Sequence, residues 1–268
     1  MGLEVMRLFK KFIDLKYAIF QPQIKIKKNG KSFFVSSQRN YRWFWKQLKT
    51  GEWEPYTFKI FDTFLDSNHS YIDIGAWIGP TVLYGCQMAK HCYAIEPDPV
   101  AFKQLKNNIK LNPTLLSRIS LANQCIMDSN GIAYLTPKDH GGGDSQSSIV
   151  FEKSSKTWQV PGITLHQFIL DNSINDCNFI KIDIEGSEFT VLPSMMEFLK
   201  EKKPTCYLSL HAPLVTEIEK KMKKIYEIVG IYNHMYDNQL REIKKEFILN
   251  EDNFSKFIEV VVSDRNLN

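Results

Sequence analysis

YIDIGAWIGP, at residues 71–80, is the stretch from which the fold class of this 268-residue chain is predicted. An apolar strand pattern runs into an acid, Asp73, and two glycines follow, Gly75 and Gly79. Pro80 suits the first turn of a helix. A glycine turn at the carboxyl edge of a parallel strand lets a ligand approach the backbone closely, and doubly wound sheets bind nucleotides at such a turn. The motif therefore predicts a nucleotide-binding α/β fold.

Strand and helix patterns alternate outward from this motif, which indicates a parallel sheet with helices on both faces. Strands are predicted at about 70–74, 92–96, 118–123, 178–183, 205–210 and 256–263. Helices are predicted at about 55–66, 79–89, 98–111, 164–171, 187–200 and 214–229. The segments at 231–236 and 256–263 could form an antiparallel edge.

The ligand of the turn is predicted from its charges. The middle glycine of G-x-G-x-x-G is absent, and the Asp73 carboxylate would repel a pyrophosphate. It would attract a positively charged ligand, such as the sulfonium and ammonium groups of S-adenosylmethionine. Glu96 lies 23 residues further on. An acid at roughly 20 residues from such a turn accepts hydrogen bonds from ribose hydroxyls.

Three segments together resemble the FkbM family of S-adenosylmethionine-dependent methyltransferases: YIDIGAWIG (71–79), YAIEPDPVAFKQLKNNIKLN (93–112) and FIKIDIEGSEFTVL (179–192). The resemblance runs from about residue 51 to 209. It implies a class I methyltransferase fold, which is Rossmann-like, with a seven-stranded sheet that has one antiparallel strand. It also implies S-adenosylmethionine as cofactor and O-methylation, often of a sugar hydroxyl in a glycan, polysaccharide or glycosylated natural product.

The same resemblance assigns candidate cofactor-binding residues. The methionine part would be lined by Asp73, Gly75, Ala76, Trp77 and Gly79, and the ribose by Glu96 and Pro97. The adenine would lie beside Cys125, Ile126 and Asp128. The Gly/Ser-rich loop at 140–148, which contributes Ser147 and Ser148, is expected near the cofactor. Trp77 departs from the smaller polar residue usual in the family, and Cys125 stands where a small Ala is usual. Trp77 could narrow the pocket or stack against a substrate.

Methyl transfer to a hydroxyl needs alignment and removal of a proton. Lys181, Asp183 and Glu185 alternate along one strand and share a face while it stays extended. We predict Asp183 as the base, with Glu185 or His211 as alternatives, and Lys181 as the residue that balances the carboxylates. Asp183 and Glu185 could also hold Mg²⁺, and the pattern does not separate a metal from a bare base. Glu188 fits either function or a first-turn helix acid.

The first fifty residues form a basic extension outside the resemblance, with 12 Lys and Arg against two Asp and Glu; residues 51–268 hold 22 against 28. Residues 1–20 have the spacing of an amphipathic helix. Ile24–Lys27 and Ser32–Val35 flank Asn29-Gly30, which predicts a β-hairpin. The extension could bind acceptor, form a homo-oligomer or contact an anionic membrane surface. An aromatic and basic run at 41–46 favours helix packing over nucleic-acid binding.

Composition bounds the remaining readings. Hydrophobic residues make up 43% and charged residues 24%, as in globular proteins. No apolar run is long enough to span a membrane. Five cysteines in no C-x-x-C pair favour a reducing cytosol. The protein could still be membrane-peripheral there. The competing classes are a nucleotide- or dinucleotide-binding oxidoreductase and a non-catalytic membrane-peripheral binding protein. RNA methylation is disfavoured because the chain's body is acidic.

Overall fold

The computed structural model describes residues 22–136, 143, 148–150 and 157–267, with only the backbone at 148–150. The strands in chain order are β1 (Gln23–Lys28), β2 (Lys31–Ser36), β3 (Ser70–Ile74), β4 (Cys92–Ile95), β5 (Ile119–Ala122), β6 (Cys125–Ile126), β7 (Gly131–Thr136), β8 (Ser148–Val150), β9 (Trp158–Ile163), β10 (Cys177–Ile182), β11 (Thr205–His211), β12 (His234–Asp237) and β13 (Phe257–Ser263). The α-helices are α1 (Arg42–Thr50), α2 (Thr57–Phe64), α3 (Pro80–Gly85), α4 (Pro99–Lys110), α5 (Leu165–Asp171), α6 (Glu188–Ser194), α7 (Met196–Lys202) and α8 (Ile218–Val229).

Seven strands form the central sheet, in the order β12-β13-β11-β10-β3-β4-β5. The neighbours from β11 to β5 run parallel, and β13 pairs antiparallel with both β11 and β12. The predicted class I methyltransferase fold is therefore confirmed, including its one antiparallel strand. The carboxyl ends of β3, β4, β10 and β11 lie next to one another at one edge of this sheet, which is where parallel sheets bind ligands.

The register of the central strands places the ionisable residues on one face. Lys181 in β10 pairs with Asp73 in β3 on one side and with Tyr207 in β11 on the other. This face is covered by the β1–β2 hairpin and by α1 to α4, whose side chains share one apolar cluster with it. The opposite face packs against α6 and α8 through a second cluster.

The described part of the basic extension packs onto this core. In the hairpin, Asn29 and Gly30 have φ angles of 43° and 76°, as a two-residue turn requires, so the predicted hairpin is confirmed. Ile26 and Trp45 are fully buried in the cluster that contains Phe58 and Tyr71. The predicted amphipathic helix at 1–20 lies outside the described residues. No helix in the described part of the chain is both long and apolar enough to cross a membrane.

Two features differ from the sequence patterns. A second sheet, β6-β9-β7-β8, lies between β5 and β10 in the chain, where no strands were predicted. β6 and β8 have only two and three residues, and β9 contains Pro161 and Gly162, which argue against a strand in a sequence pattern. The single helix predicted at 187–200 is divided into α6 and α7 at Met195, because Pro193 inside α6 cannot continue the hydrogen-bond ladder.

Candidate active site

The turn after β3 brings backbone and side chains of two strands together. Gly75 has a φ of 84°, and a Cβ there would collide with the carbonyl oxygen of Asp183. Gly79 has a φ of 90°, and a Cβ would lie 2.5 Å from the Leu105 side chain. Only glycine accepts both the left-handed conformation and this crowding. Gly75 therefore allows the backbone of Asp183, just after β10, to lie directly against the turn.

A buried ion-pair cluster spans the two strands. Asp73 has no exposed surface, and neither of its carboxylate oxygens has a hydrogen-bond partner among the described residues. The Lys181 Nζ lies 3.7 Å from Asp73 Oδ1 and 3.1 Å from Asp183 Oδ2. Burial raises the pKa of Asp73, against the attraction of Lys181. Burial opposes the charge of Lys181, but Asp183 and Asp73 hold its pKa above the ordinary value.

Backbone amides hold Glu96 at the end of β4. Its Oε2 accepts a hydrogen bond from the Trp77 N–H, and its Oε1 accepts one from the Asp98 N–H, each at 2.7 Å. Burial raises the pKa of Glu96 to about 8, although the two amides favour the charged form. Trp77 has a φ of 46°, rare for a bulky residue, and this conformation directs its N–H to Glu96.

The other predicted cofactor-binding residues differ in how far they are buried. Cys125 and Ile126 are buried in β6, and burial, with Glu96 nearby, raises the pKa of the Cys125 thiol to about 12. Ala76 is buried, Pro97 is half-buried and Asp128 is exposed. Ser148 is described by its backbone alone, in β8, and Ser147 lies outside the described residues.

Asn123 fixes the same strand end and was not predicted. Its side-chain amide donates to the Glu96 carbonyl at 2.8 Å and to the Pro97 carbonyl at 3.0 Å. An asparagine after a strand is common in turns. That signal alone does not distinguish this role.

The predicted catalytic residues meet at the ends of β10 and β11. The His211 Nε2 lies 3.5 Å from Asp183 Oδ1 and 3.8 Å from Glu185 Oε2, and its Nδ1 lies 2.9 Å from Glu188 Oε1. Burial works against the charged imidazole, but the hydrogen bond and charge of Glu188, with Asp183 and Glu185, raise the pKa of His211 to about 9. His211 is therefore a cation at neutral pH.

Glu188 has a role that its sequence position did not reveal. The side chain is completely buried, and its two oxygens accept hydrogen bonds from the backbone N–H groups of Ile184 and Gly186, at 2.7 and 2.9 Å. It thus fixes the turn that carries Glu185 and at the same time orients His211. Asp183, Glu188 and His211 also offer ligand atoms close enough for a metal ion.

A row of hydrogen-bonded side chains connects the start of α2 to β11 and β13. Thr57 Oγ1 bonds to Glu54 Oε2 at 2.8 Å and to the Tyr207 hydroxyl at 2.9 Å, and Tyr207 donates to Glu259 Oε1 at 2.6 Å. Burial, then Asp183 and Glu259, raise the pKa of Glu54 to about 8. Glu54 and Thr57 are far in sequence from Tyr207 and Glu259, so no motif could have grouped the four residues.

The family comparison matches the Methyltransferase FkbM domain over residues 73–247, about two thirds of the chain. The chain belongs to the FkbM methyltransferase family. The match begins at Asp73 and includes Glu96 and the whole β10–β11 site. Among curated proteins, the sequence comparison finds no match.

Several solved structures are similar to the chain at low sequence identity. An FkbM methyltransferase from Methylobacillus flagellatus KT is 17% identical, with a TM-score of 0.47, over 74% of this chain and 44% of that one. A Streptococcus mutans protein in complex with SAH is 12% identical, with a TM-score of 0.41, over 77% and 95% of the two chains. An rRNA methylase from Streptococcus thermophilus is 11% identical, with a TM-score of 0.43, over 78% and 95%. The chain spans less than half of the Methylobacillus protein.

Proposed function

We propose that this FkbM methyltransferase transfers the methyl group of S-adenosylmethionine to a sugar hydroxyl group in a glycan, polysaccharide or glycosylated natural product, with Asp183 as the base. The observation that carries the proposal is the Lys181 ammonium group, which lies 3.7 Å from Oδ1 of Asp73, in the strand that leads into the Gly75 turn, and 3.1 Å from Asp183 Oδ2. This cation links the carboxylate that would take a proton to the strand end that would hold the methyl donor. When bound, S-adenosylmethionine supplies an electrophilic methyl group on a positively charged sulfur.

The residues of the turn fit such a donor. Asp73 is buried and paired with Lys181 at 3.7 Å, but neither of its oxygens accepts a hydrogen bond from the described residues, so both have lone pairs available for a donor group of a ligand. An ammonium group is one such group. Glu96 keeps lone pairs beyond the two backbone hydrogen bonds, which ribose hydroxyls could use. Asp73 would therefore hold the methionine part of the donor, and Glu96 its ribose.

The charges around Asp183 assign different roles to the acceptor-side residues. Lys181 bonds to one carboxylate oxygen of Asp183, and cationic His211 faces the other. A protonated imidazole cannot accept a proton, so His211 is not the base at neutral pH. In our proposal Asp183 would accept the hydroxyl proton while the methyl group passes from sulfur to the acceptor oxygen, with S-adenosylhomocysteine as the leaving group. Lys181 and His211 hold Asp183 in position.

The three residues that could hold a metal, Asp183, Glu188 and His211, are already engaged in hydrogen bonds and ion pairs with neighbouring groups. Each Glu188 oxygen already accepts a backbone N–H, and Glu188 also bonds directly to His211. Mg²⁺ prefers oxygen ligands, whereas the imidazole of His211 offers only nitrogen. We therefore propose that the base acts without Mg²⁺. Equal turnover with EDTA and with added Mg²⁺ is the expected result, and loss of turnover with EDTA would contradict it.

The substrate is tested by methyl transfer from tritiated S-adenosylmethionine. The acceptors are cell-wall polysaccharide fractions, free oligosaccharides and ribosomal RNA, each incubated with wild type and with Asp183→Asn. Label in a carbohydrate product as a base-stable, acid-stable methyl ether would support the proposal. Label in RNA alone, or carbohydrate labelling that Asp183→Asn does not reduce, would overturn it.

A further inference from the structure

Trp77 and Asp98 connect Glu96 to a residue that is distant in sequence, Gly143. Their backbone N–H groups donate to the two oxygens of Glu96 at 2.7 Å each. Their side chains hold Gly143: the Trp77 indole Nε1 donates to the Gly143 carbonyl at 3.0 Å, and the Gly143 N–H donates to Asp98 Oδ2 at 2.8 Å. These four hydrogen bonds close a ring through Glu96, Trp77, Gly143 and Asp98.

Gly143 fits this position only without a side chain. Its φ is 80°, in the left-handed region, and a Cβ would collide with the Tyr41 hydroxyl and lie 2.8 Å from Val100. Both of its backbone polar groups are used by the ring. The backbone at 143 is therefore fixed relative to the Glu96 carboxylate by polar bonds and by packing.

The indole is also part of an aromatic cluster. The Trp77 ring lies 4.5 Å from Phe44 and 6.0 Å from Tyr41 between centroids, in edge-to-face geometry in both cases. Both partners come from the start of α1, in the described part of the basic extension. Trp77 thus contacts the extension with its ring, Gly143 with its indole N–H, and Glu96 with its backbone N–H.

We infer that Trp77 is a positioning residue for the methyl donor: it fastens Gly143 to the Glu96 side of the donor pocket. This inference rests on the proposed function, since it takes Glu96 as the residue that binds the donor ribose. The indole N–H of Trp77 is bonded within the protein, and its ring packs against Phe44 and Tyr41. The left-handed conformation of Trp77 is the local strain that this arrangement requires.

The chain offers a matched control for the indole hydrogen bond. Trp45 is fully buried in the same apolar cluster, and its indole N–H has no hydrogen-bond partner among the described residues. Trp77→Phe and Trp45→Phe therefore make the same chemical change. Only Trp77→Phe removes a hydrogen bond, while a phenyl ring keeps the edge contacts with Phe44 and Tyr41.

The test is calorimetric titration of S-adenosylhomocysteine into wild type, Trp77→Phe and Trp45→Phe. Loss of one hydrogen bond that orders the pocket should weaken binding by Trp77→Phe about 5- to 10-fold. Trp45→Phe should bind within about 2-fold of wild type, even if it is less stable. Amide exchange in the peptide that contains Gly143, measured without ligand, should be faster in Trp77→Phe and unchanged in Trp45→Phe.

A second variant checks that the ring acts as a unit. Asn caps helices as well as Asp does, so Asp98→Asn keeps the start of α4 but replaces the oxygen that accepts from the Gly143 N–H with an NH2 donor. Its effect on affinity should be less than additive with Trp77→Phe, since both act through Gly143. Equal affinity of wild type and Trp77→Phe would overturn the inference and leave the proposed function intact. Absence of S-adenosylhomocysteine binding by wild type would remove both.

Discussion

The donor and acceptor sides of this site are held by different kinds of bond. On the donor side, Glu96 is fixed by two backbone N–H groups. On the acceptor side, Asp183 is fixed by the side chains of Lys181 and His211. Backbone amides do not titrate, whereas an imidazolium loses its proton near the pKa of about 9 that its neighbours give His211. The groups that hold Glu96 therefore do not titrate, whereas one of the groups that hold Asp183 does.

The largest effect is expected where the chemistry is proposed to occur. Asp183→Asn should lower turnover by about 10²- to 10⁴-fold, the usual contribution of a general base, and leave S-adenosylhomocysteine affinity within about 2-fold. The matched control is Asp176→Asn, at the amino end of the same strand, where the carboxylate pairs with exposed Lys90. Near-wild-type turnover of Asp183→Asn would move the base to Glu185.

Removal of Lys181, the cation shared by Asp73 and Asp183, should destabilise the protein more than removal of an exposed lysine. Lys181→Met leaves Asp73 and Asp183 without their buried partner, which should lower the free energy of unfolding by about 3–5 kcal/mol. Lys90→Met breaks an exposed pair and should cost less than about 1 kcal/mol. Urea unfolding at pH 7 measures both. Similar losses for the two variants would show that burial does not govern the Lys181 pairs.

Glu188→Gln tests how far charge controls the acceptor side. The variant keeps the shape of the side chain but removes the main charge that raises the pKa of His211, so this pKa should fall by about one unit or more toward its ordinary value. NMR titration of ring-labelled His211 measures the shift.

The same charge predicts a pH window for stability. A raised histidine pKa contributes stability that is complete below about pH 6.5 and is lost as pH rises through about 9. The stability difference between wild type and Glu188→Gln should narrow across that window. A difference that is constant with pH would contradict a charged His211.

A smaller effect is expected on the donor side, through the protonation of Glu96. Its pKa of about 8 leaves the carboxyl mostly protonated at pH 7. Ribose hydroxyls donate to the ionised form, so the affinity for 5′-methylthioadenosine should rise about 10-fold between pH 7 and 9. This nucleoside lacks the titratable amino acid part of the donor. Glu96→Gln should remove the pH dependence, and its persistence in that variant would exclude Glu96 as the cause.

The sequence predicted what depends on local pattern. The strand ends that carry Asp73, Glu96 and Asp183 follow apolar runs and turn glycines, and the Asn29-Gly30 hairpin has its own turn signal. The N–H of Trp77 and the carboxylate of Glu188 could not be placed in this way. Each bonds to groups whose position depends on the packing of several elements, as with the indole and Gly143, 66 residues apart. Spacing along the chain carries no information about such contacts.

Donor binding is the central claim, and calorimetry tests it most directly. S-adenosylmethionine, S-adenosylhomocysteine and NAD are titrated separately into wild type and Asp73→Ala, with EDTA and with Mg²⁺. We predict that wild type binds both sulfur nucleosides at one site, without a metal requirement, and does not bind NAD. Asp73→Ala should fold and lose this binding. Binding of NAD alone, or unchanged S-adenosylhomocysteine affinity in Asp73→Ala, would contradict the account.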